Sequence, residues 1–164
     1  NELEAAIGLG NLDVYQDILG KRRKNLLYLT QKFEKFSQYL STTKEGENEK
    51  IGPHAFPIIL KENVPFMNPA KRDGMKKRTE FSSPNRNQLV DYLEKAGVET
   101  RNLFSSMPTQ CRGFSFLGYK LGDFPEAEYV GNNGLHIGIH QDLTEEHLDY
   151  VIETVDKFLS AYVK

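Results

Sequence analysis

Asn1-Glu-Leu-Glu-Ala-Ala-Ile-Gly-Leu-Gly10 leads directly into Asn11-Leu-Asp-Val-Tyr-Gln-Asp-Ile-Leu-Gly-Lys-Arg-Arg-Lys-Asn-Leu-Leu-Tyr-Leu29. The first ten residues read as a helix that is apolar from its first turn. Asn1 is placed to cap it with Glu4 reaching back, and Leu3, Ala6 and Ile7 form a face that needs a partner. With no initiator Met and no signal-peptide pattern ahead of that helix, the chain reads as an excised piece. A break is expected at Gly10-Asn11. Beyond it Tyr15, Ile18, Leu19, Leu26, Leu29, Phe33, Phe36 and Leu40 recur mostly at threes and fours, the spacing of a second long amphipathic helix. Residues 1–40 read as a helical arm able to link a small domain to a larger one, and 41–164 as a small α/β domain.

That second part alternates strand and helix signals. Ala55-Phe-Pro-Ile-Ile-Leu60 is a strand-like run, with Pro57 pointing to an edge or a bulge because it cannot donate to a ladder. Asn85 and Gln88 open a helix with Leu89, Tyr92, Leu93 and Ala96 on one face, and Gly97 closes it in a left-handed conformation. Val98 to Leu103 is expected to return as a strand. Phe124 to Val130 reads as a short helix, Gly131-Asn-Asn-Gly134 as a turn, and Leu135, Ile137 and Ile139 as a strand. Thr144 caps a final helix whose stripe is Leu148, Val151, Ile152, Val155, Phe158, Leu159 and Tyr162. The fold class expected is α/β: a small, mostly antiparallel sheet with helices on one face, plus the long N-terminal helix. The stretch from about 61 to 84, with Lys71-Arg-Asp-Gly-Met-Lys-Lys-Arg78, has no apolar period and reads as a basic loop insertion, solvated or clamping an anion.

Composition narrows the function classes. The 164 residues, 38% of them hydrophobic, suffice for one globular core, and a net charge of -2 gives no long-range pull toward nucleic acid or anionic lipid. No apolar run has membrane-spanning length. The single Cys111 excludes an internal disulfide and suits a cytoplasmic location. Its expected place is an ordinary loop, since no paired base makes it a nucleophile. His136 and His140 on one strand would stand roughly 13 Å apart, too far to meet on one metal ion whose ligands lie within about 2 Å. No metal site is expected.

Four segments together resemble a known family: the opening Glu2-Leu-Glu-Ala-Ala-Ile-Gly-Leu9 with its Leu-rich helix and Arg22-Arg23 pair, Asn87 to Arg101, Phe124-Pro-Glu-Ala-Glu128, and Ile137 to Ile152. They are similar to the DegT/DnrJ/EryC1/StrS group of sugar aminotransferases and dehydrases, pyridoxal-phosphate (PLP) enzymes of aspartate-aminotransferase fold. The resemblance covers most of the chain and places it as the C-terminal small domain. It implies PLP in the full-length enzyme, a nucleotide-linked keto-sugar substrate, an amino-acid donor and a homodimer, with no nucleic acid and no membrane. It also implies that the Schiff-base residue, the acidic partner of the pyridine nitrogen and the phosphate cup all lie upstream, so this chain alone is expected to bind no cofactor and to be inactive. The alternatives are a deoxysugar dehydrase domain and a non-catalytic binding or dimerisation module that keeps the fold.

The segment Arg101-Asn-Leu-Phe-Ser-Ser-Met-Pro-Thr-Gln110 is similar to the family's stretch bordering the nucleotide-sugar pocket. The substrate-binding residues it implies are Arg101, Phe104, Ser105 and Gln110, with Pro108 standing where many members have a His. An Arg at a strand end offers a planar fork for phosphate or carboxylate. The bland alternative for Arg101 is an ion pair with a local carboxylate such as Glu99. For Phe104 it is the core, and for Ser105 and Ser106 it is turn capping.

Overall fold

Asn1 caps the first helix as its sequence predicts. Glu4 N donates to Asn1 Oδ1 at 3.0 Å, and the Asn1 amino group donates to the Glu4 carboxylate at 3.3 Å. The computed structural model describes residues 1–62, 84–103 and 110–162. In it α1 runs unbroken over Glu2–Phe33. The expected break at Gly10-Asn11 is absent, because an exposed helical glycine costs about 1 kcal/mol without ending a helix. The helix also stops earlier than Leu40. A 3-10 turn follows at Glu34–Phe36, and Leu40 opens strand β1. The apolar spacing misled because Phe36 and Leu40 are buried in the same core as α1, though neither belongs to the helix.

Four strands, β1 (Leu40–Thr42), β2 (Ala55–Leu60), β3 (Thr100–Asn102) and β4 (Gly134–Gly138), pair in the order β1-β2-β4-β3, every pair antiparallel. Alternation sends Phe56, Ile58, Leu60, Leu135 and Ile137 to one face, where all are buried. Leu26, Leu29 and Phe33 of α1, Leu89 and Leu93 of α2 (Arg86–Lys95), and Leu148, Ile152, Val155 and Phe158 of α4 (Glu145–Ser160) complete that core. Phe33 meets Phe56 and Phe36 edge-on, with centroids 5.0 and 5.3 Å apart, a geometry favoured by the ring quadrupoles.

Helices α1 and α4 run parallel. Lys24 reaches Glu145 at 3.0 Å, Tyr28 reaches Asp149 at 2.6 Å and Lys35 reaches Asp156 at 2.9 Å, each pair 121 residues apart in sequence. The bond to Asp149 holds the Tyr28 phenol protonated, its pKa pushed up to about 12. Buried Asn25 is satisfied by the carbonyl of His140 at 2.8 Å. By contrast residues 1–17 of α1 are wholly exposed, Leu3, Ile7, Leu9 and Leu12 among them.

Further differences from the sequence reading are local. Pro57 lies in a central strand with no bulge, paired with His136. It is tolerated because β1 reaches only as far as Ile58, leaving Pro57 without a β1 partner. Strand β3 is limited to Thr100–Asn102. Gly131 to Asn133 are the last turn of α3 (Pro125–Asn133), not a separate turn, and Gly134 begins β4 directly. A Cβ on Gly134 would stand 2.4 Å from the Val130 carbonyl and from Leu103, so the close helix-to-strand passage requires glycine. The capping boxes of α2 and α4 form at Asn85 and Thr144, and Gly97 takes φ +79°. The basic stretch Lys71 to Arg78 lies outside the described residues.

Candidate functional site on the uncovered face of the sheet

The residues alternating with the core point to the opposite face, which α1, α2 and α4 leave uncovered. Arg101 of β3 stands in register with His136 of β4, and His136 in turn with Pro57 of β2. His54, just ahead of β2, brings its ring to 6.5 Å from that of His136. Beside them is a hollow of about 350 Å³ whose lining includes Leu26, Ile51, His54, Pro57, Leu103 and His136. Burial first, then His54, then Arg101 hold the His136 pKa below its ordinary value.

Strand β3 is held rigidly although Arg101 itself is not. The Glu94 carboxylate at the end of α2 accepts from Thr100 Oγ1 at 2.7 Å and from Thr100 N at 2.6 Å. These bonds, the hydroxyl foremost, keep Glu94 below the usual carboxylate range. One residue on, the Arg101 side chain is 73% exposed and its Nη2 pairs with Glu99 at 2.6 Å. A pair that open is worth at most about 1 kcal/mol, so Arg101 can exchange Glu99 for another anion.

Gln110 is tied into a different cluster. Its Nε2 donates to the Lys120 carbonyl at 2.9 Å and to Glu128 Oε1 at 2.6 Å. Glu128 also accepts from Gly122 N at 2.8 Å and Phe124 N at 3.3 Å, and these donors, Gln110 first, lower its pKa. Thus Glu128 gathers the chain from Gln110 to Phe124. Phe104 and Ser105 lie outside the described residues. Arg101 and His136 are brought together; Gln110 acts through the loop that Glu128 organises.

Sequence reasoning missed His54 and His136 as a pair. Position 136 could have been read as facing away from Leu135 and Ile137, but nothing in the spacing says that β2 and β4 are neighbours. His140 and His147 serve elsewhere: their Nδ1 atoms accept from Asp142 N at 3.3 Å and Thr144 N at 3.2 Å. Among the described residues no three His, Cys, Asp or Glu side chains are grouped to hold a metal ion, and no helix is long and apolar enough to cross a membrane. A larger hollow of about 550 Å³ opens beside Val98, Ile137, Leu143 and Leu148. Its lining adds the exposed Glu99, His140, Glu146 and His147 to those apolar residues, and Arg101, His54 and His136 are not part of it.

The four-stranded antiparallel sheet with its helices matches the fold of solved sugar-modifying enzymes that use PLP. The chain belongs to the DegT/DnrJ/EryC1/StrS aminotransferase family, whose sequence model matches residues 1–156. It is 28% identical over 158 residues to the lipopolysaccharide biosynthesis protein RfbH of Salmonella typhimurium, covering 96% of this chain and 32% of that protein. To a GDP-4-keto-6-deoxy-D-mannose 3-dehydratase of Escherichia coli O55:H7 it is 30% identical over 159 residues, covering 94% and 35%. The E. coli enzyme of that kind solved with bound hydrated PLP superposes with a TM-score of 0.63 at 28% identity, covering 91% of this chain and 33% of that one. The chain thus spans about a third of the length of the relatives it matches.

Proposed function

We propose that the chain is the C-terminal small domain of a PLP-dependent aminotransferase acting on nucleotide-linked keto sugars in polysaccharide or deoxysugar biosynthesis. It supplies one wall of the substrate pocket and part of a homodimer contact. The observation that carries this reading is the register of Arg101 with His136 on the free face of the sheet, at the start of the segment that resembles the family's sugar-pocket border. PLP, when bound, supplies an electron sink for the sugar's amino transfer. The described residues do not fit its attachment. Lys21, Lys24, Lys35, Lys44 and Lys157 pair with carboxylates at the surface, and no lysine lines the hollow beside His136.

What this chain does in that reading is bind and orient. Arg101 presents a planar fork to an anionic or hydroxyl-rich part of the nucleotide sugar. Phe104 and Ser105 contact the sugar in this reading, and Gln110 holds the stretch from Lys120 to Glu128 in place. The amino donor is an amino acid, and the site is a cytoplasmic one. Added PLP should give only the absorbance of free cofactor with this chain alone; a protein-bound band fixed by borohydride would overturn that part. A second reading, a deoxysugar dehydrase, is favoured by the 30% identity to a GDP-4-keto-6-deoxy-D-mannose 3-dehydratase. Incubating the full-length protein with a nucleotide-linked 4-keto sugar and glutamate separates the two. An amino sugar supports the first reading, loss of a ring hydroxyl as water supports the second, and neither product overturns both.

A further inference from the structure

We propose that His54, His136 and Arg101 form one oxyanion-binding subsite on the uncovered face of the sheet, taking a phosphoryl or carboxylate group of a substrate. The identity of that substrate rests on the function proposed above; the anion site itself does not.

Three groups able to carry positive charge converge there from separate elements: His54 ahead of β2, His136 in the middle of β4 and Arg101 on β3. Neither the His54 nor the His136 ring makes a hydrogen bond to a described residue, whereas His140 and His147 are both bonded to backbone N–H groups. His136 is half-buried and His54 exposed, so both rings keep their nitrogens open to a ligand or to water. The 6.5 Å between the two ring centroids leaves room for an oxyanion accepting from both rings at about 2.8 Å. The hollow gives it access, and Leu26, Ile51 and Leu103 in its wall keep part of the surroundings apolar. Such walls strengthen charge interactions.

Among the described residues the charges around His136 come from a few elements only. Arg101 and the exposed Glu99 lie toward β3, and His54 lies ahead of β2. Ala55 and Pro57 of β2 and Leu26 of α1 bring none. Burial, His54 and Arg101 all disfavour a charged His136. An anion reverses the sign of that environment, so binding and protonation of His136 favour each other. Arg101 leaves Glu99 at little cost, as their pair is exposed.

The test uses the full-length protein with His136→Gln and, separately, His54→Asn, an exposed position where folding is not at stake. KM is measured for the nucleotide sugar and for the amino donor. We expect one of these to rise about tenfold in both variants, with kcat changed less. A rise for the nucleotide sugar assigns the group to its diphosphate, and a rise for the donor assigns it to the carboxylate. Both KM values unchanged in His54→Asn and His136→Gln would overturn the subsite. If the protein turns over no such substrate, the functional reading fails on its own. Calorimetric titration with inorganic pyrophosphate and with L-glutamate then decides the subsite: about tenfold weaker binding of one probe by both variants supports it. Equal binding by wild type and variants, or no binding of either probe by wild type, overturns it.

Discussion

On strand β4, Leu135 and Ile137 are buried against Ile58 and Phe56 of β2, while His136 between them faces the other way, level with Arg101. The core face is apolar throughout its centre and backed by α1, α2 and α4. The free face carries Arg101, His136, Pro57 and, next to it, His54, with Leu26 of α1 reaching the edge of the hollow beside them. Successive residues of one strand therefore do different work. Alternation lets the same backbone order a core and present cations without exposing one or burying the other.

The sharpest way to break this comparison is to truncate a residue of the core face. Phe56 is fully buried and packs edge-on against Phe33. Phe56→Ala should cost about 3–5 kcal/mol, the transfer term plus an unfilled cavity. Chemical denaturation measures it; a loss below about 1 kcal/mol would mean that this face is not where the fold gains its stability.

The matching change on the free face should act on function instead. With its side chain 73% exposed and paired, among the described residues, with Glu99 at 2.6 Å, Arg101 contributes at most about 1 kcal/mol to folding through that pair. Arg101→Ala in the full-length enzyme should nevertheless lower kcat/KM about ten- to hundredfold, the roughly 1.5–3 kcal/mol of a charge-assisted contact. Lys there should recover only part, because the planar fork is lost. Melting temperature and kinetics are followed together. If stability collapses while the folded fraction keeps normal kinetics, Arg101 is structural and the two faces are not divided as described.

Gln110→Ala should work in the same direction with a smaller effect. Its Nε2 holds Glu128, and through Glu128 the amides of Gly122 and Phe124. Losing that hold frees the loop without removing a substrate charge. A fall in kcat/KM of about fivefold, or about 1 kcal/mol, is expected. An effect equal to that of Arg101→Ala would show that Gln110 contacts substrate itself.

How far the sequence foretold these results depends on which interactions were local. The capping boxes at Asn1, Asn85 and Thr144, the left-handed Gly97 and the stripe of α4 all depend on residues within a few positions of one another, and all formed as read. The end of α1 was misjudged because Phe36 and Leu40 keep a helical spacing while serving a turn and a strand. Pro57 was read as marking an edge or a bulge and instead lies in a central strand, a miss that arises because strand order is set by distant partners. For the site, Arg101 and its Glu99 partner were both legible. The meeting of His54 with His136 was not, because it exists only once β2 and β4 pair.

The smallest expected effect is the pH dependence of stability carried by His136. Its folded pKa is depressed below the ordinary 6.5, chiefly by burial and then by His54 and Arg101. In that window the unfolded chain binds more protons than the folded one, so this group's contribution to stability is fully present above pH 6.5 and is lost as the pH falls toward the folded value. The carboxylates act lower. Glu45, held by Ile51 N and Arg23, together with Glu94 and Glu128 has a folded pKa below 4.5, and their contribution falls away only as the pH drops through those values. The two windows are therefore separable. Tm followed from about pH 8 to about pH 5 should decline for the wild type, and His136→Gln should flatten the part of the decline that begins near 6.5. Saturating pyrophosphate should flatten it too in the wild type, since an anion beside His136 favours its protonated form. A wild-type profile that coincides with that of His136→Gln across this range would mean that His136 titrates as freely folded as unfolded, and that the free face is as solvated as an ordinary surface.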